Sequence, residues 1–469
     1  MLKKIIIVVL LCSTTFIFSQ TKLPSFFSNN MVLQQNEKVS IWGTDKPNII
    51  ITVIGNWGNE ASVKSDNNGK WKLKIKTPYA GGPYKLTIKG TEKITLNNVL
   101  IGEVWLCSGQ SNMNMPVKGY SNQPIIGSND AILNSKNDRI RLFNPERNTS
   151  LKPLNNVSGE WNEATPKSVK DFSATAYFFG KKLEQTLNVP IGLIHTSWGG
   201  STVETWMDKE TLSEFKTIKF PTKIPEGKVQ KIPTLLYNAM LHPFVGYTMK
   251  GVIWYQGESN RANSNLYKKT FPTLIKSWRQ KWQQGNFPFY FVQIAPFNYK
   301  DVNASFLREM QLQTMQNVVN TGMAVTLDIG ECKNIHPSKK NTVGKRLAYW
   351  ALAKDYQFSE IGYSGPIYKE MKIIGEKIKL HFEFAENGLT SFGEDLSGFE
   401  IAGEDKIFYS ATAKIQKNKT INVWANEVKK PVAVRYAFKN CVKGTLFNTE
   451  GLPASSFRTD NWNEEPLKN

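Results

Sequence analysis

Between residues 99 and 355, short apolar runs alternate with longer segments of helical period, and that pattern leaves few architectures open. Residues 99–106, 189–195, 249–255, 289–294 and 323–328 read as strands. Residues 172–187, 266–282, 305–319 and 338–355 carry apolar positions at helical spacing and read as helices packed on the sheet. Strands buried on both faces and separated by helices imply a three-layer α/β/α domain with a mostly parallel sheet. Ligands of such sheets bind beyond the carboxyl ends of the strands. The residues that follow each strand are therefore the place to look for chemistry.

The flanks have a different texture. Residues 21–98 contain short alternating runs at 39–42, 49–54, 70–75 and 84–88, separated by Asp45-Lys-Pro47, Asp66-Asn-Asn-Gly69 and Gly81-Gly-Pro83. Strands this short, with turns about every ten residues, suggest a β-sandwich. A similar pattern returns over 356–469, with strands expected at 378–384, 398–402, 406–413, 420–423 and 432–438. The expected layout is a leader at 1–20, a β region at 21–98, a catalytic α/β domain at 99–355 and a β region at 356–469. The two β regions are either separate or packed together.

The leader combines Lys3 and Lys4 with an apolar stretch over 5–18, too short for a stop-transfer helix. It reads as an export signal cleaved near Ser19 or Gln20, which implies a periplasmic or secreted protein without stable membrane insertion. Leu11 before Cys12 argues against a lipid anchor. Of the remaining cysteines, Cys107, Cys332 and Cys441 are far apart and read as three buried thiols, with one pair left open. Nothing has metal-ligand spacing, and no cofactor or metal is expected. The net charge of +20 comes from scattered lysines without a nucleic-acid motif, so nucleic acid is not an expected partner.

Four strand ends carry polar, glycine-bearing blocks: Gly109-Gln-Ser-Asn-Met113, Trp198-Gly-Gly-Ser-Thr202, Trp254-Tyr-Gln-Gly-Glu-Ser-Asn260 and Gly330-Glu-Cys-Lys-Asn-Ile-His-Pro337. Together they supply a serine on a tight turn, a glycine pair with free backbone N–H groups, a carboxylate with amides, and a histidine. An acyl-transfer site requires that set.

With these blocks the chain resembles the sialate O-acetylesterases, within the SGNH/GDSL-like hydrolases. Glu204-Thr-Trp206, Lys340, Asn30-Met-Val-Leu-Gln34, Val434-Arg-Tyr436 and the segment Gly451 to Asp460 extend the resemblance over nearly the whole mature chain. It implies an exported serine esterase that removes O-acetyl groups from sugars, foremost O-acetylated sialic acids, through an acyl-enzyme. Acetylated xylan or another polysaccharide is the alternative substrate. A silent carbohydrate-binding protein on the same scaffold is the reading outside the enzyme class.

Chemistry and resemblance together assign Ser111 as nucleophile and His336 as its base, at the start of the last helix. His195, His242 and His381 read as structural. SGNH hydrolases commonly place an aspartate three residues before the histidine, and related acetylesterases two before. Here those positions hold Lys333 and Asn334. Glu258 is then the expected acid, as the resemblance to acetylxylan esterases sharing the Gln-Gly-Glu block implies. Glu331, Asp328 and a bare Ser–His dyad stay open. The backbone N–H groups of Ser111 and Gly200, or Gly199 in its place, are expected in the oxyanion hole, with Gln256 or Asn260 as a third donor. Gln110 and Asn112 flank the nucleophile and are expected either to touch substrate or to shape the turn.

Overall fold

The computed structural model describes residues 20–462; the expected leader, apart from its last residue, lies outside them. One strand organises the rest. Lys93–Gly109 runs for 17 residues and is buried without interruption from Val99 onward. Its first part pairs antiparallel with Gly81–Lys89 and parallel with Val32–Gln34. Its second part lies between the parallel strands Ile191–Ser197 and Gly251–Tyr255. The seam expected between residues 98 and 99 thus falls inside a single strand, and the N-terminal sheet and the central sheet are one hydrogen-bonded surface.

Across the α/β part the strands run in the order Thr321–Ala324, Phe289–Val292, Gly251–Tyr255, Lys93–Gly109, Ile191–Ser197, Asn137–Phe143 and Trp161–Ala164. All neighbours are parallel except the last pair. The two strands at the far edge were not expected. Asn137–Phe143 has charges where an apolar run would be looked for, yet Arg141 is buried. Its guanidinium donates to the carbonyls of Asp138 and Asn30 and to Asn98 Oδ1, and lies 3.3 Å from Glu163. Local polarity hides a strand whose charge is neutralised only in three dimensions.

The sheet separates two apolar cores, and side chains of successive residues enter them alternately. Val104, Leu106, Val252, Trp254, Phe289 and Phe291 face one core with helices Ser264–Trp282 and Ser305–Asn317. Trp105, Cys107, Ile253, Tyr255, Tyr290 and Val292 face the other, with Ala174–Leu187 and Lys340–Asp355. Ala174–Leu187 starts where the Ser173 side chain accepts the Ala176 N–H at 3.1 Å, an N-cap. The last helix begins at Lys340, so His336 sits in the loop ahead of it rather than at its start.

Among the described residues no strand of the N-terminal region pairs with one of the C-terminal region, whose antiparallel sheets are separate. The C-terminal region docks on the α/β part through buried polar contacts. Arg308, wholly buried, donates to Ser456 Oγ and to the carbonyls of Ala437 and Lys439. Gln293 donates to Ser455 Oγ at 2.8 Å, and Arg458 pairs with Glu309 at 3.0 Å. The expected three free thiols are corrected here. Cys332 and Cys441 form a disulfide with their Cα atoms 5.4 Å apart, and only Cys107 stays free and buried. A separation of 109 residues conceals this pairing in sequence. The bond ties the loop that carries His336 to the C-terminal region. Replacing both cysteines by serine is expected to lower the unfolding free energy by about 2–5 kcal/mol in urea titration, since the crosslink closes a long loop.

Candidate active site

Three of the four polar blocks follow three adjacent strands, Gly251–Tyr255, Lys93–Gly109 and Ile191–Ser197. After Lys93–Gly109 the chain builds one side of the sheet and then crosses to the other. The site therefore sits at the point where the strand order reverses, where loops diverge and leave a crevice. Gly109 makes the turn possible. Its φ is +141°, and a Cβ there would lie 2.2 Å from the Tyr255 carbonyl oxygen. Ser111 then opens the short helical turn Ser111–Asn114 and stands half-buried.

The turn is held from beneath by Asn112, which is fully buried. Its Nδ2 donates to Glu258 Oε1 at 2.6 Å and to the Ile335 carbonyl at 3.0 Å. Its Oδ1 accepts from Lys340 Nζ at 2.6 Å, and the same ammonium donates to the Pro337 carbonyl at 2.9 Å. One amide thus joins the nucleophile turn, the Gln-Gly-Glu block and the loop on both sides of His336. Burial drives both of its charged partners toward neutrality. The Glu258 carboxyl is pushed above the usual carboxylate range, and Lys340 is pulled down to about 7.

His336 is half-buried, and its Nδ1 lies 2.5 Å from Gln123 Oε1. With an amide oxygen as acceptor, Nδ1 carries the proton and Nε2 is left as the basic nitrogen. Gln123 sits in the Tyr120–Gln123 turn, and Tyr120 places its ring 5.5 Å from His336, edge to face. The Tyr120 hydroxyl lies 3.4 Å from the Ser111 carbonyl oxygen, so Tyr120 spans the serine and the histidine. Neither Ser111 Oγ nor His336 Nε2 has another hydrogen-bond partner among the described residues. Burial and the Lys340 charge pull the His336 ring down to about 4.

Three expected carboxylates are occupied elsewhere. Glu258 is buried, accepts from Asn112 through Oε1 and makes no hydrogen bond to His336, its Oε2 having no partner among the described residues. Asp328 is paired with Arg346 through two contacts of 2.7 Å. Glu331 accepts from the Ser338 N–H at 2.8 Å and from Asn334 Nδ2 at 3.2 Å, and so braces the histidine loop. Asn334 accepts the His336 backbone N–H at 3.0 Å and does not meet the ring. The residue that meets the ring, Gln123, was missed. It belongs to a polar loop far from the histidine in sequence, and no local signal distinguishes it.

Around Ser111 the backbone N–H groups of Ser111, Gly199 and Gly200 donate to no acceptor among the described residues. Gly199 faces the serine: a Cβ there would lie 3.4 Å from Ser111 Cβ, whereas one on Gly200 would face Gln230. Gln256 and Asn260, one of which is expected to supply a third donor, are engaged with neighbouring loops. Gln256 Nε2 donates to the Ser201 carbonyl and to Asn260 Oδ1, and Asn260 Nδ2 lies 3.0 and 3.1 Å from the two Glu204 oxygens. These amides shape the loop after Gly200, and both N–H groups of Gln256 are spent there. Of the two roles expected for Gln110 and Asn112, their contacts correspond to the shaping of the turns. Gln110 Oε1 accepts the N–H groups of Gly257 and Ser259 at 3.3 Å, and Asn112 uses both ends of its amide internally.

His195 bonds Asn144 and Ser197 inside the protein, and His242 bonds the Leu154 carbonyl. Of the motifs outside the site, Gln34 Oε1 accepts the Val104 N–H from the nucleophile strand, and Asp460 pairs with Arg435 at 2.9 Å. These are framework contacts.

A mostly parallel α/β sheet with a serine, an imidazole and unpaired backbone amides at its switch point defines a serine hydrolase of the SGNH type. Residues 101–353 match the family described as carbohydrate esterase, sialic acid-specific acetylesterase. The human sialate O-acetylesterase is 33% identical over 402 residues, covering 77% of this chain and 76% of its own length. The mouse sialate O-acetylesterase is 31% identical, covering 81% of this chain and 82% of its own. A solved carbohydrate acetylesterase from Xanthomonas citri superposes with a TM-score of 0.86 at 36% identity, over 94% of this chain and 100% of that one. The chain belongs to the sialic acid-specific acetylesterase family of carbohydrate esterases. It is a carboxylic ester hydrolase that removes O-acetyl groups from sugars.

Two outcomes follow from the buried groups. Lys340→Met leaves Asn112 Oδ1 and the Pro337 carbonyl without their donor, and is expected to cost about 2–4 kcal/mol of stability in urea unfolding. Only the neutral imidazole accepts a proton, so kcat/KM is expected to fall below about pH 4, where His336 charges. An unperturbed histidine would place that limb near 6.5.

Proposed function

We propose that the protein is an exported sialate O-acetylesterase in which Ser111, His336 and Gln123 act as nucleophile, base and orienting amide. The observation that carries this reading is the free Nε2 of a histidine whose Nδ1 is engaged by Gln123, next to a serine ringed by unpaired backbone N–H groups. His336 Nε2 takes the Ser111 proton as Oγ attacks the acetyl carbonyl. The N–H of Ser111 and those of the Gly199–Gly200 turn receive the oxyanion. His336 then returns the proton to the departing sugar hydroxyl, and water releases acetate from Ser111 by the same path in reverse. Gln123 holds the productive tautomer with a dipole rather than a charge, consistent with the low basicity of the ring. The curated relatives that share these blocks support sialic acid as the sugar, and the character of residues 1–20 supports export.

Acetate release from O-acetylated sialic acid, measured beside acetylated xylan, tests the proposal. Ser111→Ala is expected to lose at least about a thousandfold in kcat. Gln123→Ala is expected to lose about ten- to a hundredfold, as the ring loses its orientation. Glu258→Gln keeps an acceptor for Asn112 and is expected to stay within about tenfold of wild type, whereas loss of a triad carboxylate costs about ten-thousandfold. A loss of that size in Glu258→Gln would return the acid role to Glu258.

A further inference from the structure

Beside the nucleophile turn lies a cleft of about 510 Å3 bordered by Asn114, Tyr120, Arg147, His195 and Ser197. Tyr120 also touches both ends of the catalytic pair, with its hydroxyl 3.4 Å from the Ser111 carbonyl and its ring 5.5 Å from His336. Asn114 belongs to the Ser111–Asn114 turn and Tyr120 packs on His336, so the cleft adjoins the catalytic pair. Its volume suits one sugar residue rather than a polymer chain, since small-molecule sites typically hold about 300–1,000 Å3.

The charges around the cleft do not cancel evenly. Lys118 is taken up by Asp171 at 2.6 Å. His195 is kept neutral by burial and by the neighbouring Arg147 charge, which hold its ring down to about 3. Arg147 has no carboxylate partner among the described residues and is exposed. Its position is nevertheless defined. One arm of the guanidinium donates to Asn114 Oδ1, which also accepts from Tyr120 at 2.9 Å. Its Cζ lies over the Trp198 ring, 5.4 Å from the ring centroid. Trp198 directly precedes Gly199, the glycine that faces Ser111.

An arginine held at one edge by an amide oxygen and beneath by an indole keeps its remaining N–H donors in a fixed fork. That fork matches the two oxygens of a carboxylate. We propose that Arg147 binds the carboxylate of an acidic sugar while its O-acetyl group reaches Ser111. The proposal rests on Ser111 being the nucleophile. A neutral pentose polymer has no anion to offer this group, so Arg147 is the residue by which the site distinguishes an acidic monosaccharide from acetylated xylan. Glu146 borders the same cleft with no side-chain partner among the described residues and opposes the anion.

The test compares O-acetylated sialic acid with its carboxyl methyl ester, which differ in one charge. Wild type is expected to favour the free acid in kcat/KM by about ten- to a hundredfold, the range of a charge-assisted hydrogen-bonded pair. Arg147→Met is expected to remove that preference, and Arg147→Lys to keep part of it. Glu146→Gln is expected to increase it. No preference in wild type, or a preference unchanged in Arg147→Met, overturns the proposal. Calorimetric binding of both sugars to Ser111→Ala, with and without Arg147→Met, reads the anchor without turnover. Weaker binding of the acid alone on losing Arg147 supports the anchor even if Ser111→Ala still cleaves, an outcome that would instead refute the nucleophile.

Discussion

The Asn112 side chain is the contact on which the site depends. Three turns that are distant in sequence meet under the nucleophile, and a single buried amide holds them together. An apolar residue could fill the space but not the function. It would leave the Ile335 carbonyl and Glu258 Oε1 without their donor and the Lys340 ammonium with the Pro337 carbonyl alone, in a medium where an unpaired polar group costs on the order of 1–3 kcal/mol. The registration of Ser111 against His336 is thereby coupled to the stability of the core. The arrangement also explains a buried carboxyl and a buried ammonium that never meet directly, with Asn112 between them.

The long strand and the C-terminal docking contacts serve the same end. Lys93–Gly109 carries the N-terminal sheet into the central one, so the nucleophile stands at the tip of a ladder buried on both faces. From the other side, Arg308, Gln293 and the Cys332–Cys441 bond fasten the C-terminal region to the segments that precede and follow the last strands. Glu331 then braces the histidine loop from within. The flanking β regions are the frame that keeps a loop-borne base in position, which fits the way their motif residues are spent on internal contacts.

Electrostatically the site is built around neutral groups. The ring of His336 is desolvated and faces a neutral amide, while the nearby Lys340 disfavours its charged form. In the proposed mechanism the backbone N–H groups near Ser111 stabilise the developing negative charge without reorganisation, since the fold already fixes them. At the rim, Arg147 carries a full charge with no carboxylate partner among the described residues, held by Asn114 and Trp198.

The alternation of apolar runs and helical segments determined the α/β/α sheet, because a strand buried on two faces must be apolar throughout. Glycine-bearing strand ends determined which turns carry polar chemistry, Ser111 and His336 among them, because a tight turn at a strand end has its own local residue requirements. Partnership between distant side chains left no local trace. Gln123 and His336 are both ordinary loop residues until the Tyr120 turn folds over the active site. Glu258 carries the motif expected of an acid, yet it is buried, accepts from Asn112 and makes no hydrogen bond to the ring. Gln256 and Asn260 look like free donors until the fold sets them against each other and against the Ser201 carbonyl and the Glu204 carboxylate. Arg141 reads as a surface charge and is buried in an edge strand. Periodicity and turn chemistry are short-range properties of the chain, whereas the satisfaction of a buried polar group depends on what the whole fold brings beside it.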